Sequence, residues 1–218
     1  MSRINVIVRK VNTDLTDEQY EELLESLYRD RKEKVRKFKN RRAAFVSLTA
    51  GLLLQETACA KLGIGVDDII ISRGAHGKPC IEGYPKFHYN LSHSGEYVVL
   101  VYSDMPVGID IEQIKDKFQK VAARCFTTSE ISYLDNGDFE VGINGSSDAE
   151  RFCQIWTMKE SYLKLTGQGI SVPLNSFSID LKNMFVEGTD CHFATTRIED
   201  YYITVCASDI SDISYEFA

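Results

Sequence analysis

Val107-Gly108-Ile109-Asp110-Ile111-Glu112 alternates carboxylates with β-branched residues, and Trp156-Thr157-Met158-Lys159-Glu160-Ser161-Tyr162-Leu163-Lys164 sets a carboxylate one helical turn before an ammonium. In a strand, residues i and i+2 project from one face, so Asp110 and Glu112 aim side by side. In a helix, residues i and i+4 share a stripe, so Glu160 and Lys164 lie together. A fold that joins the two stripes gathers three carboxylates and one ammonium. Like charges about 4 Å apart repel by roughly 4 kcal/mol per pair at an effective dielectric near 20, so the cluster needs a cation to offset it. Oxygen ligands without imidazole or thiolate favour magnesium, with manganese as the alternative, and magnesium keeps waters or substrate phosphates as its remaining ligands. Asp110, Glu112 and Glu160 are therefore the candidate metal ligands.

Each half also has an ordinary reading. An acidic pair in a strand is more often a solvated face, and a Glu/Lys pair one turn apart is usually helix support worth a few tenths of a kcal/mol. Context sets these apart: Gly108 just before the pair, the lone tryptophan Trp156 before Glu160, and a turn at His93-Ser94-Gly95.

The two stretches resemble the 4′-phosphopantetheinyl transferases of the larger, surfactin-synthetase-associated type. That family carries glycine, aliphatic, aspartate, aliphatic, glutamate, and later a Trp-x-x-Lys-Glu run closed by lysine; here these stand at residues 108–112 and 156–164. His76-Gly77-Lys78-Pro79 and Asn90-Leu91-Ser92-His93-Ser94-Gly95 are similar to two further family stretches. The four occur in family order, and together they are specific where each alone is weak. The resemblance implies an α+β fold of two similar subdomains related by a pseudo-twofold axis, residues 1–104 and 105–218, with the active site in the cleft between them. It implies magnesium-dependent transfer of the 4′-phosphopantetheine arm of coenzyme A to a serine hydroxyl of an apo acyl or peptidyl carrier protein, releasing 3′,5′-ADP.

By the same resemblance Asp110, Glu112 and Glu160 hold magnesium, Lys164 donates to phosphate oxygens, Ser92 and His93 grip the nucleotide phosphates, and Lys78 with Pro79 lines the channel. Arg31 and Lys34 match basic residues that contact the nucleotide end. Coenzyme A is thus expected at Arg31, Lys34, Lys78, Pro79, Ser92, His93, Asp110 and Lys164, with Glu160, Lys164 and His93 as the catalytic set. Glu160 is the family's candidate base for the serine, directly or through a water, a role worth ~10²–10⁴ in rate. Glu130 matches a further family glutamate and reads as a supporting residue, since a carboxylate in a first helical turn already has a structural reason to be there. Trp156 reads as core packing. One departure stands out: the family usually carries an arginine before a Ser-Leu or Thr-Leu pair, and here Val46 precedes Ser47-Leu48, with Arg41 and Arg42 near enough to substitute.

Composition agrees. The 218 residues, 44% hydrophobic, suffice for one large or two small cores, and the net charge of −7 argues against nucleic acid as a partner. Nine basic residues nevertheless stand against two acids between positions 29 and 42, a run that is as often a solvated helix face as a site for a polyanion. Six cysteines are scattered without ligand-like spacing, which suits a reducing cytosol. No apolar run approaches the ~18 residues of a membrane span, so a soluble cytoplasmic protein is expected. A duplicated chain holds both halves of its own cleft, which predicts a monomer. Two other classes use part of the pattern. Another magnesium phosphotransferase or a nuclease is opposed by the absence of a P-loop and by the overall acidity; a catalytically silent carrier-binding descendant is opposed by the filled ligand positions and Lys164.

Periodicity predicts strands over 3–11, 66–72, 79–82, 87–91, 97–103 and 107–113, and helices over 18–30 after Thr16 and over 41–62. It further predicts helices near 117–124, 128–134 and 149–166, and strands near 176–182, 191–198 and 201–208. Residues 135–148, polar and glycine-rich, are expected to form a mobile loop. Residues 167–197, just past the long helix, are the expected landing zone for a carrier.

Overall fold

Alternation along the first strand decides where the first sheet's core lies: Ile4, Val6 and Val8 are buried, while Asn5, Ile7 and Arg9 are half-buried between them. In chain order the first half runs β1 (Ile4–Lys10), α1 (Asp17–Glu25), α2 (Arg29–Arg36), α3 (Arg41–Leu62), β2 (Ile71–Arg73), β3 (Pro79–Ile81), β4 (His88–Ser94) and β5 (Tyr97–Ser103). The second half begins with β6 (Gly108–Gln113), α4 (Gln119–Cys125), α5 (Thr128–Asn136) and α6 (Asp148–Thr166). It closes with β7 (Ile179–Asp180), β8 (Phe185–Val186), β9 (His192–Ile198), β10 (Tyr201–Ala207) and β11 (Ile213–Phe217). The computed structural model describes residues 3–74, 77–116, 118–136 and 147–218; His76 and most of the loop expected over 135–148 lie outside the described residues.

One sheet has the order β11-β1-β5-β4 and the other β6-β10-β9-β8-β7. Each half lays a long helix against its sheet. On β5, Val98 and Leu100 join the core under α3 with Leu53, Leu54 and Ala58, whereas Val99 and Val101 point the other way. There they meet Val107, Ile109, Ile111, Ile203 and Val205 of the second sheet. Strand periodicity alone thus splits β5 between two cores. A third core packs Ile155 and Met158 of α6 against Phe193 and Cys206. This is the α+β, two-part architecture expected from the sequence.

α3 occupies the span predicted for it. Against the expectation that no apolar run approaches a membrane span, it is long and apolar enough to cross one; 67% of the relevant stretch is buried inside the protein, as befits a core helix. α3 and α6 both stop at a left-handed glycine, Gly63 (φ 68°) and Gly167 (φ 75°), which explains the Leu-Gly and Thr-Gly endings.

Other elements differ from expectation for physical reasons. The single helix expected over 18–30 is two. Gln55, buried on α3, accepts from Tyr28 N (2.8 Å) and donates to Ser26 O (3.0 Å), satisfying the backbone groups that a break exposes. The strand expected over 66–72 begins as a 3₁₀ turn at Val66–Asp68, where Asp68 accepts from Gly65 N. The strand expected over 176–182 is only β7, and β8 and β11 were not anticipated. β11 leaves the second half and pairs parallel with β1, from Ile4 opposite Ile213 to Val8 opposite Phe217.

Candidate functional site

Where the two sheets meet, β4 and β6 form no backbone ladder. Side chains replace it. Asn90 Oδ1 accepts from Ile109 N (3.2 Å), Ser92 Oγ from Ile111 N (3.4 Å) and Ser94 Oγ from Gln113 N (3.2 Å). The constant offset means that the strands run in the same direction, with every second residue of β4 stitching every second amide of β6. A serine hydroxyl also has one proton to give. Ser92 donates to Asp110 (2.7 Å) and Ser94 to Glu112 (2.9 Å), so the seam that joins the sheets also aims the acidic pair.

α6 brings the rest. Lys164 Nζ lies 2.5 Å from Asp110 Oδ1 and donates to Ser92 Oγ at 2.7 Å. Burial pushes the Asp110 carboxyl up from its usual range, and the Lys164 charge pulls against it. Glu160, one turn before Lys164, is also pushed up, by burial and then by the Asp110 charge. Among the described residues no donor reaches Glu160. The fold therefore brings the strand pair and the helix pair together, a meeting that their spacing alone left open. They do not close into a cage: among the described residues no group of three or more His, Cys, Asp or Glu stands at metal-ligand spacing. The reason is visible in the hydrogen bonds. Lys164 takes the inner oxygen of Asp110, and Glu112 Oε1 is engaged by Ser94, Gln113 N and Lys115.

Gly108 permits this convergence. A Cβ there would overlap the Ser161 carbonyl oxygen and the Leu165 amide, so β6 and α6 touch backbone to backbone. On the opposite face of α6, Lys159 is buried with Glu130, both side chains 0% exposed and 2.9 Å apart. Its ammonium also donates to Leu174 O (2.7 Å) and Phe177 O (2.9 Å). Glu130 accepts from Thr127 N (2.8 Å) and Ile179 N (3.1 Å), so the helix-start role expected for it is one part of a larger one. This pair clamps residues 174–179 to the helix that carries Glu160. Trp156 stacks on Phe152 in the core, as expected.

Beside the carboxylates opens a cleft of about 780 Å³ lined by Arg31, Lys34, Pro79, His93 and Arg42, with Tyr28, Phe38 and Tyr89 among its apolar walls. The basic run divides in two here. Arg29 pairs with Glu33, Lys32 and Arg36 with Glu25, and Arg41 with Asp17 while its guanidinium covers the Tyr20 and Phe45 rings. Those are the solvated face. Arg31 and Arg42 instead donate to the uncharged oxygens of Tyr28 (3.2 Å) and Gly95 (3.2 Å), and among the described residues no carboxylate pairs with Arg31, Lys34 or Arg42. Of the two substitutes considered for Val46, the cleft contains Arg42. His93, although exposed on β4, is held toward its neutral form by partial desolvation of its ring and then by Lys164 and Lys34. Lys78 is placed differently from Pro79: its ammonium donates to Val107 O (2.9 Å) and Leu165 O (3.0 Å), tying β3 to the β6–α6 contact, and burial lowers its pKa to about 8.

Residues 14–104 match the 4′-phosphopantetheinyl transferase N-terminal family, and residues 106–206 match the 4′-phosphopantetheinyl transferase superfamily. The 4′-phosphopantetheinyl transferase Sfp of Bacillus subtilis (strain 168) is 32% identical over 216 residues, 93% of this chain and 94% of its own. This chain belongs to the 4′-phosphopantetheinyl transferase superfamily. Another 4′-phosphopantetheinyl transferase of Bacillus subtilis is 36% identical over 189 residues, 82% of this chain and 81% of its own. The L-aminoadipate-semialdehyde dehydrogenase-phosphopantetheinyl transferase of Rattus norvegicus is 27% identical over 188 residues, 80% of this chain and 59% of its own.

For a phosphopantetheinyl transferase the backbone contact at Gly108 carries a cost if altered. Gly108→Ala must push α6 away from β6, moving Glu160 and Lys164 relative to Asp110. Overpacking of this kind costs about 1–3 kcal/mol, and a displacement near 1 Å can cost ~10²-fold in rate. Calorimetric melting and single-turnover transfer should both fall; an alanine variant with unchanged turnover would mean that the helix position does not matter.

Proposed function

We propose that this transferase moves the 4′-phosphopantetheine arm of coenzyme A to a serine hydroxyl of an apo acyl or peptidyl carrier protein and releases 3′,5′-ADP. The observation that carries the reading is the junction itself: Asp110, Glu112, Glu160 and Lys164 converge beside a cleft whose cations, among the described residues, have no carboxylate partners. The residues that line the cleft all fall within 1–104, the first of the two subdomains, while Asp110, Glu112, Glu160 and Lys164 come from the second, 105–218.

Asp110, Glu112 and Glu160 are the residues that would hold magnesium, with manganese as the alternative. The donor set fits: it is all hard oxygen, Glu160 has no donor of its own among the described residues, and burial and mutual repulsion push two of the carboxyls up for want of positive charge. Bound there, the ion would offset charge on the pyrophosphate.

The chain's own groups do the remaining work, which in phosphoryl transfer is chiefly positioning and charge. The serine oxygen attacks the phosphorus that bears pantetheine, the bond from that phosphorus to the bridging oxygen breaks, and 3′,5′-ADP leaves with the electron pair. Glu160 receives the serine proton, directly or through a water; a carboxylate that also holds the metal is a poorer base, which makes the water route the easier one. Lys164, already beside Asp110, donates to the phosphate oxygens. His93, neutral and on the cleft wall, hydrogen-bonds the nucleotide phosphates without adding charge, beside Ser92, and Arg31 and Lys34 meet the nucleotide end. Phe38, left 40% exposed on the same wall, offers a flat surface to the base.

The carrier would approach over residues 167–197, which follow α6 and are held to it by Lys159. We further propose a cytosolic monomer that engages neither nucleic acid nor membrane; six free cysteines suit a reducing compartment.

Incubation with coenzyme A, magnesium and apo carrier proteins, read by intact mass, should add one phosphopantetheine to the carrier and nothing to its serine-to-alanine form. Failure with carriers of fatty-acid, polyketide and nonribosomal-peptide synthesis alike would overturn the reading.

A further inference from the structure

Cys191 and Cys206 have no part in the chemistry above, yet the second sheet brings them together. β9 and β10 pair antiparallel, with Phe193 opposite Cys206 and His192 opposite Ala207. Cys191, the residue before β9, therefore lies on the Phe193 face as a diagonal neighbour of Cys206. Both pack into the core beneath α6, Cys206 fully buried and Cys191 half-buried at its edge. The Cys206 thiol donates to the Cys191 sulfur, and this bond lowers the Cys191 thiol to about 7 even though burial and the Asp190 carboxylate, 3.9 Å away, oppose it. Burial and the same bond hold Cys206 well above its usual range.

The pair thus divides into two roles. At neutral pH about half of Cys191 is thiolate, the nucleophilic form, against a few per cent of an ordinary thiol, while Cys206 stays protonated beside it. Cys191 is also where the chain can give. It follows the turn 187–190 and stands outside the ladder, whereas Cys206 is paired on both sides, with Gly108 and with Phe193. A disulfide needs Cα atoms within ~7 Å and diagonal neighbours stand about 7–8 Å apart, so a small shift of the turn closes the gap.

The position gives the pair something to control. Cys206 stands opposite Gly108, whose missing side chain lets β6 touch Ser161 and Leu165 of α6. Lys78, tied to Val107 O and Leu165 O, is near enough for its charge to act on Cys206. Drawing the Cys206 sulfur toward the surface pulls at the contact that sets Glu160 and Lys164.

We propose that Cys191 and Cys206 are a reactive thiol pair, a modification site for low-molecular-weight disulfides, and that cross-linking them slows transfer by loosening the β6–α6 contact. The Cys191 thiolate attacks one sulfur of the disulfide, forms a mixed disulfide and expels one thiolate. Cys206 then attacks the Cys191 sulfur, the bond to the remaining half breaks, and the Cys206 proton leaves with it as a second thiol. Two protein thiols are oxidised and one disulfide is reduced to two thiols. In a reducing compartment the pair stays open, and only a rise in disulfide closes it. The effect on transfer rests on the coenzyme A reading above; the thiol chemistry does not.

Glutathione disulfide is the probe, applied to the full chain at neutral pH and read by intact mass and peptide mapping. The wild type should lose two hydrogens and yield one peptide pair joined through Cys191 and Cys206. Cys206→Ala should stop at one glutathione on Cys191, and Cys191→Ala should take up none at Cys206. Brief iodoacetamide labelling should modify Cys191 roughly fourfold faster than the half-buried Cys59, the balance of a larger thiolate fraction against a weaker nucleophile. The cross-linked wild type should transfer phosphopantetheine ~10-fold more slowly, as a displacement somewhat under 1 Å would require, and recover with dithiothreitol. Cys191→Ala should keep its rate in the oxidant. Cross-links mapped to other cysteines, equal labelling of Cys191 and Cys59, or a cross-linked protein with unchanged transfer would overturn the proposal. A reduced wild type that transfers nothing sinks the coenzyme A reading, and the mass and labelling results still decide the thiol pair.

Discussion

Asp110→Asn is expected to reduce phosphopantetheine transfer by at least ~10²-fold, the range seen when one preorganised electrostatic group is removed from a reaction centre. Asparagine keeps the shape and can still accept from Ser92, so the loss would report charge and not collapse. Stability should move the other way. Burial raises the Asp110 carboxyl, so in the folded protein its ionised form is the disfavoured one. A raised carboxyl contributes stability that is fully present below its unfolded pKa and lost as pH rises through the folded value. At neutral pH the wild type therefore carries the cost of a buried charge, only partly offset by Lys164, and the asparagine variant should melt no lower. Mild acidification should stabilise the wild type relative to the variant. Turnover within a few fold of wild type, measured as initial rate with saturating magnesium, would remove Asp110 from the centre.

Lys159→Met should lower the unfolding free energy by about 3–5 kcal/mol, the usual cost of breaking a buried ion pair from one side. Glu130 would keep its charge in a fully buried place, and the Leu174 and Phe177 carbonyls would lose their donor. The ring of Phe177, 4.3 Å from the ammonium, would lose its cation too. Lys159→Met with Glu130→Leu should recover much of the loss, because no unpaired charge remains. Urea denaturation of the two single variants and the double variant measures the coupling. A double variant as unstable as the sum of the singles would show that the two side chains do not act as a pair.

Asp110 and Lys159 differ in how far the order of amino acids alone announces them. Asp110, Glu112, Glu160 and Lys164 were legible because strand and helix periods fix direction, and charges placed on one stripe must meet whatever faces it. Lys159 was legible in principle. It sits on the stripe of Ile155 and Leu163, both buried, and a lysine on an apolar stripe needs a buried partner. Nothing local says that the partner is Glu130 on another helix. Asn90, Ser92 and Ser94 show their alternation, but their work depends on β6 lying alongside without a ladder, a tertiary fact. Lys78 illustrates the converse: its motif fixes its neighbourhood, while its ammonium is turned to two backbone carbonyls. The break between α1 and α2 was hidden because Gln55, which stabilises it, lies a whole helix away. Arg73 carried no pattern, and Ser47 was legible only as part of the Ser-Leu pair after Val46; the shared cleft is what associates them.

β11 has a consequence for how the protein is made. β1 leaves the ribosome well ahead of residues 213–217, which cover one of its edges. The amide of Ala218 still bonds to Val8 O at 2.9 Å, so the cover extends to the end of the described chain. β5 can close the other edge once residues 97–103 emerge. From then until residues 213–217 follow, the nascent chain carries a strand with one open, β-branched edge, a template for pairing with other chains. Slow decoding after residue 103 would lengthen that exposure, and a chaperone that shields β1 would shorten it.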